Sequence, residues 1–199
     1  NNAYPSITTV LSVLNKDSLI DWRKRVGEAE ANRISHHASV RGTAVHSIIE
    51  KYLLNESDYS KGFMPHVIAN FRSVQNTLDS RIGKIYCQEQ ALYSDYLKVA
   101  GRVDCIAEFD GKVSVIDFKT SEKIKPEKWI ENYFVQEMFY ASAYYEMTDI
   151  PIKKLITLMV TPGGDVKVFD KRNKGDYIKL LVQYIKEFVH HNLRSENGE

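Results

Sequence analysis

The stretch from Gly101-Arg102-Val103-Asp104 to Val115-Ile116-Asp117-Phe118-Lys119 holds two carboxylates and a lysine among β-branched and aromatic residues, interrupted by Asp110-Gly111. Asp-Gly is among the strongest signals for a two-residue type I′ hairpin, because both central residues of that turn need positive φ. With Asp110 and Gly111 as the loop, Phe109 stands opposite Lys112, and counting outward brings Asp104 opposite Asp117. Side chains that face each other this way lie roughly 5 Å apart at Cβ. Two like charges there, among Val103, Ile106, Val115, Ile116 and Phe118, are destabilising unless something compensates them. A divalent cation is the natural compensation, and carboxylate oxygens favour Mg²⁺ or Mn²⁺ over zinc. Because side chains alternate along a strand, Lys119 shares the face of Asp117 and brings its ammonium to the metal and its water. Ile116 and Phe118 then point into core.

The elements that must hold these groups follow from hydrophobic period. Leu19, Ile20, Trp22 and Val26, then Ala44, Val45, Ile48, Ile49, Tyr52 and Leu53, recur at helical spacing, and a third helix is predicted over 65–82. In the second of these runs Gly42, His46 and Glu50 form one stripe beside the apolar face of Val45, Ile49 and Leu53. From 85 to 120 the pattern becomes strand-like and is broken by Ser94-Asp95 and Asp110-Gly111, giving three consecutive strands. Residues 126–147 return to helix. Two strands, 154–160 and 166–169, flank Thr161-Pro162-Gly163-Gly164, and a last helix covers 177–192. This order predicts an α/β fold: a central mixed β-sheet flanked by helices. We expect a single domain over 1–199, with a mainly helical part at 1–83, the sheet and active-site helix at 84–170, and the C-terminal helix at 171–199.

The length of 199 residues suits one domain with a proper core, and the net charge of +1 means that any polyanionic partner must be held by a local patch. Arg23-Lys24-Arg25, the run Lys119, Lys123, Lys125 and Lys128, and the tract Lys167, Lys171, Arg172 and Lys174 are candidates. Cys87 and Cys105 are too few for a disulfide framework or a thiolate metal site, and both are expected in the core. No apolar run approaches the ~18 to 20 residues of a membrane span, and Asn1-Asn2-Ala3 begins nothing like a signal peptide. A soluble protein without a membrane partner is expected. The sequence leaves its location open between the cytoplasm of a bacterium or phage-infected host and, if a targeting segment precedes residue 1, the mitochondrion.

Four ordered patterns resemble the PD-(D/E)xK nucleases, and specifically their RecB-type branch. They are Arg41-Gly42-Thr43 followed by His46 and Glu50, then Gly101-Arg102-Val103-Asp104, then Ile116-Asp117-Phe118-Lys119-Thr120, and then Gln136 with Tyr140. Glu89 looks like the branch's upstream acid. Tyr4-Pro5-Ser6 and the run Asp117-Phe118-Lys119-Thr120-Ser121-Glu122-Lys123 are similar to the short stand-alone exonucleases of this branch.

The resemblance implies a restriction-endonuclease-like core and a Mg²⁺- or Mn²⁺-dependent DNA exonuclease, using one or two ions and leaving 5′-phosphates. It implies His46, Asp104, Asp117 and the Phe118 carbonyl as metal ligands and Lys119 as the catalytic lysine. Asp104, Asp117 and Glu89 are the catalytic acids, and Gln136 and Tyr140 support the lysine. Nucleic-acid contacts are expected from Arg41, Thr43, Arg102, Thr120, Ser121, Lys123, Lys125, Gln136 and Tyr140, with Arg25 as a further phosphate contact. Arg102 counts out opposite Lys119, where it touches DNA or balances Glu89. Single-stranded DNA is the expected substrate, with Trp22, Tyr133 and Phe134 as stacking candidates. The expected roles are DNA repair, recombination or genome maintenance by a monomer, with any helicase, polymerase or recombination partner on a separate chain. The cysteine set of the iron–sulfur members is missing, so no cluster is expected. The alternatives are an endonuclease or recombination nuclease of the same fold, or a non-catalytic nucleic-acid-binding module. The presence of Asp104, Asp117 and Lys119 together argues against the last.

Overall fold

A computed structural model describes residues 3–13 and 16–196. The elements in chain order are α1 (Ile7–Ser12), α2 (Lys16–Val26), α3 (Glu28–Leu53), α4 (Pro65–Arg81), β1 (Ile82–Ser94), β2 (Val99–Phe109) and β3 (Lys112–Thr120). They continue with α5 (Glu131–Thr148), β4 (Lys154–Val160), β5 (Val166–Lys171) and α6 (Gly175–Glu196). The boundaries have local causes. Ser6 caps α1 by accepting from the Thr9 amide at 3.1 Å, and Pro65 opens α4, where a missing N–H costs nothing. Asp149, in the left-handed region at φ 59°, closes α5.

The strands form one five-stranded sheet in the order β1-β2-β3-β4-β5. β3 and β4 are parallel, joined by the crossover through α5, and the other neighbours are antiparallel. Asp110 and Gly111 take φ of 51° and 70°, as the two-residue turn requires, and the register runs from Phe109 opposite Lys112 to Cys105 opposite Ile116. The mixed sheet with flanking helices is the architecture read from the sequence.

Helices cover both faces. Val45, Ile48 and Ile49 of α3 and Phe71 and Val74 of α4 pack on Cys105, Phe109, Ile116 and Phe118. On the other face Val135 and Phe139 of α5, with α1, pack on Val103, Ile106 and Val115. Only the C-terminal half of α3 is anchored strongly, and α2 buries none of its residues. Cys105 is buried as expected, whereas Cys87 is only half-buried. Among the described residues, no helix is long and apolar enough to cross a membrane.

One irregularity prepares the site. Val103 and Cys105 should share a face by alternation, yet they belong to opposite cores. The backbone therefore departs from regular strand at Asp104. On β1 the ladder pairs Gln88 with Cys105 and Gln90 with Val103 but skips the residues between them, and there Glu89 adopts φ 46°. Positive φ at a non-glycine residue is unfavourable, so packing and hydrogen bonds around it must over-determine it.

Candidate active site

Three strands bring a row of acids together: Glu89 on β1, Asp104 on β2 and Asp117 on β3. The hairpin register makes Asp104 and Asp117 the next facing positions after Cys105 and Ile116, but the backbone ladder ends one step earlier. Instead, Asp104 Oδ2 accepts the Phe118 amide at 2.8 Å, so the carboxylate replaces a main-chain partner and ties the two strands. The expected pairing of Arg102 with Lys119 does not form, because the strands have parted. Lys119 pairs in β3 with Met159 of β4, and the exposed Arg102 faces Glu89 with its Nη1 3.9 Å from Oε2.

His46 comes from α3 with Nδ1 3.5 Å from Asp104 Oδ2 and its ring edge-on to Phe118. Ligand atoms of His46, Glu89 and Asp104 all lie within 4.8 Å of one another. These three, with Gly42, Thr43, Ser47, Glu50 and Arg102, line a cleft of about 460 Å³. The predicted stripe of Gly42, His46 and Glu50 is thus one wall of it. Gly42 sits where α3 packs on β3, and a Cβ there would stand in ordinary contact, 3.5 Å from Thr120 Oγ1.

Behind the cleft, Lys119 Nζ lies 2.6 Å from Asp117 Oδ2 and donates to Gln136 Oε1 at 3.4 Å. Gln136 Nε2 donates to Tyr140 OH at 3.1 Å, as their spacing of one helical turn allows. Tyr133 covers the lysine, with Nζ 5.0 Å from its ring centroid, and its hydroxyl accepts from Lys125 at 3.0 Å. Arg41 is held by Glu122 at 2.5 Å, and Ser121 is nearly buried, its amide on the Val160 carbonyl.

The electrostatics suit a cation. Burial, then the charge on Asp117, pushes the Asp104 carboxyl well above its ordinary range, and burial with Glu50 raises Glu89. Burial lowers His46, favouring the neutral imidazole that ligates metals. Burial works against charge on Lys119, but Asp117 and Asp104 outweigh it and keep the ammonium form. Asp117 Oδ2 is buried without a well-aligned hydrogen bond even beside that ammonium, which leaves an oxygen with ligating capacity. Two neighbouring acids with raised pKa values, a neutral histidine and an under-satisfied carboxylate oxygen together fit a hard divalent ion.

Sequence reasoning missed Glu137. It is fully buried on α5, its Oε1 accepts from Thr157 Oγ1, and its Oε2 has no partner. Thr157 is the β4 register partner of Asp117, so a fourth carboxyl lies beneath the row. The available signal was an acid inside the apolar run Phe134-Val135-Gln136-Glu137-Met138-Phe139. The role of Gly101 was also missed: a Cβ there would meet Tyr140 Cε1 at 2.9 Å and Ile7 Cγ2 at 3.0 Å. Phe134 is corrected as a stacking candidate, since it is buried against Phe169 and Tyr177. Trp22 is half-buried and Arg25 exposed on α2, away from this cluster in the chain order. Trp129, just before α5, is the exposed tryptophan, at 69%.

A family profile described as the PD-(D/E)XK nuclease superfamily matches residues 63–189. The chain is 30% identical over 133 residues to mitochondrial genome maintenance exonuclease 1 of Mus musculus, covering 63% of this chain and 39% of the relative. The Homo sapiens protein of the same name is 30% identical over 148 residues, covering 69% of this chain and 40% of the relative. The chain thus spans about two fifths of the length of these relatives. A crystal structure of a candidate exonuclease from Eubacterium rectale has the same fold, with a TM-score of 0.52 at 13% identity over 80% of this chain and 68% of that one.

Proposed function

Given that the chain belongs to the PD-(D/E)XK nuclease superfamily, we propose that it is a metal-dependent DNA exonuclease, active on single strands and serving repair, recombination or genome maintenance. The observation that carries this reading is the convergence of His46, Glu89 and Asp104 within 4.8 Å, beside the Asp117–Lys119 pair at 2.6 Å. We read residues 1–199 as one nuclease domain.

Mg²⁺ or Mn²⁺ would be held by His46, Glu89, Asp104 and Asp117 with the Phe118 carbonyl, and when bound would acidify water and offset charge on the phosphoryl group. Lys119, fixed between Asp117 and Gln136, presents an ammonium that orients the attacking water and counters developing negative charge. Gln136 and Tyr140 hold that lysine from α5. The product is a 5′-phosphate and a 3′-hydroxyl. Arg102 and Thr43 border the cleft where the strand's phosphates would lie. Lys123, Lys125, Thr120 and Ser121 continue from the end of β3, and Arg41 is available once a phosphate displaces the exposed Glu122 from it. Tyr133 and Trp129, close in sequence to Lys125 and Lys128, supply aromatic surface for unpaired bases.

The test is cleavage of end-labelled single-stranded DNA with Mg²⁺, with Mn²⁺ and with EDTA, comparing the native chain with Lys119→Ala. Activity with either metal, abolished by EDTA and by the substitution, is expected, and equal activity of the two proteins would sink the site assignment. A circular single strand should survive. Its nicking would move the reading to an endonuclease of the same fold.

A further inference from the structure

The basic counterpart of this acidic site stands at the other end of the sheet. Asp110, Lys112, Lys153, Lys154 and Arg172 line a concavity of about 350 Å³. Its one carboxylate, Asp110, is already engaged, as is one oxygen of the neighbouring Asp170. Arg81 grips Asp110 through Nε at 2.9 Å and Nη2 at 2.7 Å, and the buried Lys154 lies 3.2 Å from Asp110 Oδ2 and 3.1 Å from Asp170 Oδ2. Phe109 forms a floor, with the Arg81 guanidinium 4.3 Å from its ring centroid. Above this layer Lys112 and Lys153 are exposed, and among the described residues neither has an ion-pair partner. Arg172, 75% exposed, reaches Asp170 only at 3.5 Å, and Lys174, lowered in pKa by burial and then by Lys153, adds a further cation.

Counting Arg81, Lys112, Lys153, Lys154, Arg172 and Lys174 against Asp110 and Asp170, six cations oppose two acids. That surplus of four arises within a chain of net charge +1. Charge on this scale, concentrated in one place, needs a counter-anion. The free cations are long side chains from three separate segments, the β2–β3 turn, the start of β4 and the end of β5. That spacing suits successive phosphates of a flexible strand better than a compact anion, which calls for convergent donors.

We propose that this end of the sheet is a second phosphate-binding site that anchors a nucleic-acid strand remote from the cleavage point. The proposal rests on reading the chain as a nuclease. Lys112 opens β3 and Lys119 stands one residue before its end at Thr120, so the seven-residue rise separates the two sites by about 23 Å. At the rise of about 3.4 Å per nucleotide of a helically stacked strand, roughly seven nucleotides span them, and an extended single strand needs fewer. A trinucleotide cannot reach both sites. A 30-nucleotide strand can.

The experiment compares the native chain with Lys112→Glu/Lys153→Glu and Lys112→Gln/Lys153→Gln. Anisotropy of a labelled 30-nucleotide single strand is read in EDTA over a salt series, and trinucleotide cleavage is read with Mg²⁺. The glutamate variant should bind the 30-mer at least tenfold more weakly, with a log–log salt slope shallower by about 1.4, the figure for two lost contacts on a single strand. The glutamine variant should lose less in the same direction, and trinucleotide cleavage should stay within twofold of native. Unchanged affinity and slope would overturn the proposal, as would a parallel loss of trinucleotide cleavage. So would inorganic tripolyphosphate binding that depends on both lysines while the 30-mer ignores them. If the native chain cleaves nothing but strand binding falls as stated, the nuclease reading fails and the anchor site stands.

Discussion

The two ends of the central sheet use the same residue types and reach opposite electrostatic states. At the basic end, Arg81 and Lys154 hold Asp110 down to a pKa of about 2, the side-chain hydrogen bond from Arg81 being the main cause. At the acidic end, burial and Asp117 push Asp104 well above the ordinary range. The difference lies in the number of partners and their geometry. Asp110 has a bidentate arginine, a lysine and partial solvent, whereas Asp104, Glu89 and Asp117 share one lysine and a distant Arg102. A buried Asp–Lys cluster can therefore be largely charge-compensated, as around Lys154, where Asp170 Oδ1 is left without a hydrogen-bond partner, or under-compensated, so that it calls for a cation. The sign of the carboxylate shift tells the two apart.

The largest expected effect separates the ends by activity. Asp104→Asn or Lys119→Ala should lower single-turnover cleavage about 10³-fold, the scale of losing a positioned charge or proton-transfer group. Asp110→Asn should leave cleavage of a trinucleotide within about twofold, since Asp110 acts on Arg81 and Lys154 rather than on substrate. Comparable losses at both ends would collapse the distinction.

Next in size is packing. Gly101→Ala drives a Cβ to 2.9 Å from Tyr140 and 3.0 Å from Ile7. Overpacking of this kind costs about 1–3 kcal/mol, or very roughly 2–10 °C in Tm for a domain of this size. Tyr140 also supports Gln136, so activity should fall beyond what stability explains. At the other end, Gly111→Asn meets nothing within 4 Å and puts a tolerated residue at φ 70°, so its cost should stay below about 1 kcal/mol. Calorimetry of both variants checks the contrast, and an equal loss of Tm would break it.

Protonation gives the third contrast, with opposite signs. Asp104 has a folded pKa above its unfolded value, so its contribution is full below that unfolded value, about 4, and is lost as pH rises through the folded one. Asp110 has a depressed folded pKa, so its contribution is present above the unfolded value and is lost as pH falls toward about 2. In EDTA, denaturant midpoints should fall as pH rises from weak acid through neutrality. Asp104→Asn should flatten that fall, and Mg²⁺ or Mn²⁺ should restore stability to the native chain at high pH. A native profile that rises across the same range, or that Asp104→Asn leaves unaltered, would contradict this assignment.

What the residues disclosed in advance was set by local rules. Asp110-Gly111 fixed the turn, and the turn fixed the register as far as Cys105 opposite Ile116. Lys119 followed from alternation, and His46 from the resemblance to the nuclease branch, with which its helical stripe agrees. The illegible part was long-range. No local pattern says that β2 breaks alternation at Asp104, that Glu89 takes positive φ beside it, or that Ile7 packs on Gly101. Arg102 does face Glu89 as expected, but its pairing with Lys119 fails for that reason: extrapolating a ladder assumes that the strands stay together, and here a side chain takes over the hydrogen bond that would have continued it.

Glu137 offers the smallest and most discriminating test, because it adds a carboxyl to the acidic end without facing the cleft. Burial, followed by the charge on Asp117, raises its pKa, and Thr157 is its hydrogen-bond donor. Below about pH 4 Glu137 is neutral in both the folded and the unfolded chain, and Glu137→Gln exchanges one neutral, nearly isosteric group for another, so stability should not change. As pH rises from there toward the raised folded pKa, the unfolded chain gives up a proton that burial beside Asp117 makes the folded chain keep, a loss of stability that glutamine does not suffer. Glu137→Gln should therefore stabilise the metal-free chain increasingly as pH rises above about 4, by about 1 kcal/mol at neutral pH once relaxation is allowed for. Mg²⁺ should shrink that difference by neutralising the row that Glu137 opposes. A stabilisation that is equal at every pH would mean that Glu137 acts through packing alone, and the acidic end would then be charged by three carboxylates rather than four.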